Sequence, residues 1–506
     1  MTEIGYTHGY CRELSPALLS FALLDSRMVA RTGLRYLELG FGQGLSFNIH
    51  AAACAGEFWG TDFFPAHTAN AIEMAEAAGS GARVSGQSFA DLAARDDLPE
   101  FDVIALQGVW SWISDENRAV IIDLVNRKLA VGGVLYTGYN CTPGWSPTMP
   151  LRHLLHLHTV LCGTIGRGVT GRIDDALNFA QQIVDSKALY FQANPAVASW
   201  LKTISGQSRN YLAHEYFNQE WQPMPFSRVA ELLGGARLDF ATSANLLDHV
   251  DAVNLTEECR KLLLTVEHPM LRESVRDYMV NAQFRKDIFI KGGRAMSELE
   301  QNERYQAQGF VLVTNPADIP MKIQGALGDL LLREDLYGPL IEVLADNSCA
   351  PTTLAELISA PSMRGRSRHQ IVEALVILVG AGHVHPTQDA EAIRQAQPQC
   401  NSLNNYLCRK ARFSNDSNYL ASPVIGGGVE ADQFQQLFLT ARKSGKRQPE
   451  EWARHAWDSL NVQNRRLMKD GKPIETAEEK LAELEAQARV FAAKRLPVLK
   501  ALGVTV

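Results

Sequence analysis

Three glycines at Gly40, Gly42 and Gly44 follow the apolar run LRYLEL, and a carboxylate, Glu38, stands two residues before the first of them. A turn of this kind lets a ligand lie against bare backbone, and the helix expected from Leu45 offers it unpaired N–H groups. The dinucleotide pattern G-x-G-x-x-G requires glycine at position 45, where this chain has leucine. A carboxylate at position 38 would repel a pyrophosphate and attract a cation. A nucleoside carrying positive charge therefore fits better, and S-adenosyl-L-methionine has both an ammonium and a sulfonium. Asp62 follows the second apolar run, 18 residues after Gly44, where doubly wound sheets place an acid on ribose hydroxyls, with Phe63 next to it. Ser88 and Phe89 follow the third strand, on the expected adenine side, and Gln107 ends the fourth.

The elements that must position these residues alternate strand and helix over the first 140 residues, which argues an α/β doubly wound sheet with its loops gathered at one edge. The expected strands are LRYLEL, EFWGTD, ARVSGQ, FDVIALQG and VLYTGYN, with Ser114 capping a helix after the fourth. FSRVAELLGGARLDFATSA reads as a helix and a sixth strand, and FRKDIFIKG as a seventh. The first domain is thus expected over residues 1–293, with a helical insertion at about 146–215 and a second at about 253–281. A linker is expected at 294–320, a winged-helix-like module at 321–390, and a mostly helical domain at 391–506. Gly426 to Gly428 lack an acid or a P-loop lysine and read as a loop. Thr476 and Glu479 form a capping box for a final helix with Leu481, Leu484, Ala488 and Phe491 on one side.

Several phrases occur together: Y-x-x-x-Y at Tyr6 and Tyr10, LELGFGQG, GVWSWIS at 108–114, YNCTPGW at 139–145 and YLAHEYFNQEW at 211–221. In these the chain resembles the bacterial methyltransferases that carry a methyltransferase regulatory domain, a family that includes the rickettsial protein-lysine methyltransferases. The resemblance spans about residues 5–295 in motif detail and the tail more loosely. It implies a methyl donor, a homodimer and a lysine acceptor, expected here to belong to a bacterial surface or secreted protein. The N-terminal GYTHGYCRELSP departs from the threonine-histidine-proline version of relatives. Methylation of a glycan or small metabolite, and a cofactor-binding regulator without turnover, are the alternatives.

A lysine amine must lose its proton before it attacks, and an apolar aromatic passage favours the neutral form. Trp110, Trp112, Tyr139 and Trp145 are the candidates for that passage, with Asn140 orienting the amine. His214, with Glu215 and Tyr216, either acts on the acceptor or pins the insertion to the sheet. His153, His156 and His158 have no carboxylate near them in sequence, and the eight cysteines form no metal spacing, so no metal is expected. The net charge of -7 and pI near 6.0 give no general attraction to nucleic acid or anionic membrane. Arg364, Arg366 and Arg368 precede an apolar helix and suit an interaction module better than DNA. No apolar run approaches the length of a membrane span, and a cytoplasmic protein with a protein substrate is expected.

Overall fold

In the computed structural model the described residues are 9–29, 31, 33–163, 166, 168–218, 220–461, 468–469, 472–474 and 476–504. Tyr6 lies outside them. The apolar runs form the strands β1 (Arg35–Leu39), β2 (Glu57–Thr61), β3 (Arg83–Ser85), β4 (Phe101–Gln107), β5 (Leu129–Asn140), β6 (Leu238–Ser243) and β7 (Phe284–Lys291). They make one sheet in the order β3-β2-β1-β4-β5-β7-β6, with only β7 antiparallel to its neighbours. The order reverses between β1 and β4, and the loops leaving β1, β2 and β4 converge at that crevice.

Strand alternation gives the sheet two different faces. Tyr36, Ala105, Tyr136 and Ile288 pack on one side with helix α1 (Pro16–Asp25). Leu37, Ile104, Tyr139 and Phe289 pack on the other, with the helices Asp115–Lys128 and Phe226–Gly234. The same parity carries Glu38, Gln107, Gly138 and Lys286 onto the first face at the carboxyl edge. Across β4, β5 and β7, Gln107 pairs with Gly138 and Gly138 with Lys286.

Among the described residues, five helices between Met149 and Glu215 form the first insertion around their own core of Leu151, Ile173, Leu177, Phe191 and Leu201. Asp251–Asn254, Glu257–Leu264 and Pro269–Val280 make the second. The stretch read as a linker is instead structured. Ser297 caps the helix Glu298–Ala307, whose buried Tyr305 donates its hydroxyl to Asp25 of α1. Gly309–Leu312 is then the central strand between Thr352–Thr353 and Val384–Pro386. ELEQNERYQA looks like a linker because the helix buries a single aromatic residue among polar ones. Helices Glu334–Cys349, Leu354–Ser359 and Arg368–Gly380 complete this module. Two of its arginines are engaged within the module, Arg366 donating to the carbonyls of Ser362 and Asp335 and Arg368 lying 5.5 Å over the Tyr305 ring, while Arg364 is exposed.

The last third of the chain closes on the helix that follows the glycine turn, α2 (Leu45–Ala53), all nine residues of which are buried. Its sequence, LSFNIHAAA, is apolar or small except at Asn48 and His50, both buried and hydrogen-bonded, as befits a helix covered all round. The helix Ala390–Lys410 packs on it, Cys400 Sγ donates to the Ala52 carbonyl, and Gln388 Nε2 donates to Ala53 at 2.8 Å. The triple glycine is part of this seam, a correction to its assignment as a plain loop. Gly427–Glu430 pairs with Tyr419–Ser422 as a hairpin, and the Gly428 N–H donates to the Tyr10 hydroxyl at 2.6 Å. A Cβ on Gly428 would stand 2.8 Å from the Tyr10 ring. Gly428→Ala is therefore expected to cost about 1–3 kcal/mol through overpacking, seen as a lowered midpoint in thermal unfolding. The capping box at Thr476 and Glu479 is present, and Leu484, Ala488 and Phe491 are buried.

Candidate functional site

The glycine turn is built by its own backbone and by Asp62. Gly40, Gly42 and Gly44 have φ values of 76°, 58° and 78°, the left-handed region that favours glycine. A Cβ on Gly40 would lie 2.6 Å from Val109, and one on Gly44 2.5 Å from Ala71, whereas one on Gly42 would meet nothing within 4 Å. The first and third glycines thus close the turn, and the second leaves bare backbone facing open space. Asp62 Oδ2 accepts the Gly42 N–H at 2.9 Å, and Oδ1 accepts the Phe64 N–H at 3.0 Å with His67 Nδ1 at 3.3 Å.

Glu38 is 3% exposed and has one hydrogen-bond partner among the described residues, the Tyr36 hydroxyl at 3.2 Å. Burial pushes its carboxyl up to about 8, against the pull of that hydrogen bond. A buried carboxyl so poorly served suits a cationic ligand group, and the open second glycine suits close approach of the rest, so this donor set fits S-adenosyl-L-methionine. Phe63 remains 59% exposed beside Phe64, with ring centroids 4.1 Å apart. Ser88 caps the short helix Phe89–Ala93 and donates to Asp91 at 2.7 Å. Gln107 Oε1 accepts the Tyr136 hydroxyl at 2.5 Å.

The structure divides the residues expected around an acceptor between the two faces of the sheet. Tyr139 is fully buried on the far face, and its hydroxyl donates to Asp287 at 2.6 Å. That carboxylate belongs to a buried set in which Arg285 pairs with Glu273, Asp277 and Asp287, and burial raises Asp277 to about 7. Trp110 is also fully buried there. Neither lines a passage, because the parity of β5 turns Tyr139 away from the cofactor edge. Asn140 has the opposite parity, on the face of Gln107, and its backbone is fixed by Ser111 Oγ at 2.9 Å and the Met224 N–H at 3.2 Å. His214 falls in the helix Arg209–Glu215, but its side chain lies outside the described residues.

Trp112 and Trp145 meet elsewhere. Trp112 and Trp221 have ring centroids 6.2 Å apart, and Trp145 lies 5.2 Å from Trp221 and 6.5 Å from Tyr216. GVWSWIS, YNCTPGW and YLAHEYFNQEW thus converge on one aromatic cluster. At its centre is Arg152, 4.1 Å over Trp221, donating to the carbonyls of Glu215 and Asn218. Burial lowers its guanidinium to about 9. Arg152 joins the entry and exit of the first insertion to the loop after β4. It escaped sequence reasoning, although a lone arginine in the otherwise apolar start of MPLRHLLHLH was a usable signal. Tyr36, Glu13 and Lys286 were missed too, and Tyr10 stood out only as part of the Y-x-x-x-Y phrase. For Tyr36, its i, i+2 relation to Glu38 on one strand face was the signal.

A cleft of about 1190 Å³ opens between the sheet edge and the C-terminal region. Cys11, Glu13, Gln107 and Lys286 line one wall, and His385, Tyr419, Glu430 and Arg495 line the other. Among the described residues no group of histidine, cysteine and carboxylate side chains is arranged to hold a metal, and no helix is long and apolar enough to cross a membrane.

Residues 208–291 match the family model described as a predicted methyltransferase regulatory domain. An uncharacterized protein of Synechocystis sp., sll1526, is 35% identical over 99% of this chain and 98% of its own length. Another, RP789 of Rickettsia prowazekii, is 25% identical over 38% of this chain and 34% of its own length. Among solved structures, PKMT2 from Rickettsia typhi in complex with AdoHcy has a TM-score of 0.71 at 14% identity, covering 99% of this chain and 100% of that one. The sheet order, the glycine turn with its two acids, the end-to-end relative and the regulatory-domain match lead to one conclusion: the chain belongs to the family of class I S-adenosyl-L-methionine-dependent methyltransferases that carry a methyltransferase regulatory domain.

Proposed function

We propose that the protein methylates lysine amines of another protein, a bacterial surface or secreted one. The single observation that carries this reading is the size of the cleft. At about 1190 Å³, running from Gln107 out between two domains, it admits an extended polypeptide, whereas a metabolite enzyme gains by sealing its pocket. The cofactor, when bound, supplies an electrophilic methyl group. In this reading Glu38 takes the ammonium, Asp62 the ribose, and Phe63 with Ser88 and Phe89 the adenine side. Gln107 and Asn140, on one face of the sheet, border the acceptor. Holding the amine in line supplies most of the acceleration, so little further chemistry is asked of the chain. The reading includes a homodimer in the cytoplasm, and the exposed Leu161, Leu189, Leu271 and Tyr278 of the insertions offer apolar surface for a second copy.

The test is incubation with methyl-labelled cofactor and bacterial lysate, followed by mass spectrometry. Label on protein lysines is expected. Label on a small molecule or glycan replaces the acceptor, and absence of any label beside measurable cofactor binding makes the protein a regulator.

A further inference from the structure

We infer that Lys286 is a methyl acceptor within the chain, so that the protein modifies itself at the floor of its own cleft. This rests on the methyltransferase reading and goes beyond it by naming a modification site.

Three observations put the Lys286 amine on the sheet face and edge that carry the proposed cofactor residues. First, strand parity puts Lys286 on the same sheet face as Glu38 and Gln107, at the carboxyl edge. Second, Gln107, Gly138 and Lys286 are successive neighbours across β4, β5 and β7. Gly138 keeps the floor between them low, since a Cβ there would lie 2.3 Å from Gln107 Oε1. Third, a short chain of contacts leads from Lys286 to the buried acid. Lys286 Nζ is 2.6 Å from Glu13 Oε1. The Leu14 carbonyl, one residue on, is 3.4 Å from the Tyr36 hydroxyl, which in turn is 3.2 Å from Glu38.

The Lys286 side chain is 30% exposed and Glu13 16%, both toward the cleft. This sets an amine at the cleft floor, next to Gln107, which borders the acceptor in the proposed reading. In the step, Nζ loses a proton to solvent in the open cleft while Glu13 holds the amine in place. The freed lone pair bonds the methyl carbon, and the carbon–sulfur bond breaks with its electrons going to sulfur, leaving S-adenosylhomocysteine. The far-wall Lys494 is bound to Asp318 and serves as an internal comparison.

Two measurements on the full chain test this. Incubation with trideuteromethyl-labelled cofactor and peptide mass spectrometry should place label on Lys286 and not on Lys494, at a rate independent of protein concentration. Separately, without turnover, S-adenosylhomocysteine should reduce acetylation of Lys286 by acetic anhydride several-fold while leaving Lys494 unchanged. Lys286→Arg should lose the label and keep cofactor affinity. An unlabelled Lys286 in protein that binds the cofactor overturns the inference and leaves the proposed function standing. So does collapse of cofactor affinity in Lys286→Arg, which would make the residue a cofactor ligand. If calorimetry detects no cofactor binding at all, the methyltransferase reading itself falls.

Discussion

Asp62→Ala is expected to weaken binding of S-adenosyl-L-methionine by at least ten- to a hundredfold, the ~1.5–3 kcal/mol carried by hydrogen bonds to a charged acceptor. Two effects add. The substitution removes the carboxylate proposed to hold the ribose hydroxyls. It also releases the Gly42 and Phe64 N–H groups, now held at 2.9 and 3.0 Å, so the turn loses the clamp that sets its shape. Asp62→Asn separates the two, because the amide keeps one acceptor oxygen and loses the charge. Titration calorimetry on the three proteins is the measurement, with thermal unfolding to confirm that each is folded. Wild-type affinity in Asp62→Ala would remove Asp62 from the cofactor site.

The glycine turn and its acids were legible because backbone geometry dictates them. Positive φ at three positions calls for glycine, and an acid after β2 follows from the topology of such sheets. The acceptor side was less legible for a reason of parity. VLYTGYN carries large residues on both faces, so its sequence does not say which alternate set looks toward the cofactor. Choosing Tyr139 instead of its neighbours selects the wrong face, and the structure commits that hydroxyl to Asp287. Lys286 was invisible for a different reason. It reaches the site through pairing of β7 with β5, 148 residues after Gly138 in the chain, and only the fold brings the two together. Arg152 and the triple glycine are similar cases, each defined by what packs against it from a distant segment. The linker was misjudged because a helix that buries one tyrosine has almost no apolar periodicity.

Those distant segments also explain the size of the molecule. In a minimal sheet of this kind the helix after the glycine turn would keep one side in water. Here α2 is enclosed, and the N-terminal strap from Tyr10 to Ser15 is held between it and the C-terminal hairpin. Cys11 donates its N–H to Ser46 Oγ at 2.8 Å, and Tyr10 is bonded to both His50 and Gly428. Burial lowers His50 to about 3, so it stays neutral and the contact is insensitive to physiological pH. The C-terminal region therefore rests on the helix behind the turn through packed, uncharged groups.

Glu38→Gln is expected to weaken cofactor binding and, in the same protein, to make the cofactor-free state more stable in alkali. The carboxyl is raised by burial from its ordinary value of 4.5 to about 8, so the folded protein binds one more proton than the unfolded chain between those limits. Stability of the cofactor-free wild type should then fall as pH rises through that window, by up to about 1.4 kcal/mol per unit, and level off above it. Glutamine carries no such charge, so its curve should lack this contribution and keep only the slope that other buried acids such as Asp277 give. Cofactor binding runs the other way. The ligand ammonium favours ionised Glu38, so affinity should rise with pH toward 8, and binding at neutral pH should release close to one proton. Calorimetry in two buffers of different ionisation enthalpy measures that proton directly. A wild type that releases none, or a Glu38→Gln variant with the same pH dependence of stability as wild type, would show that Glu38 is not the group that meets the cation.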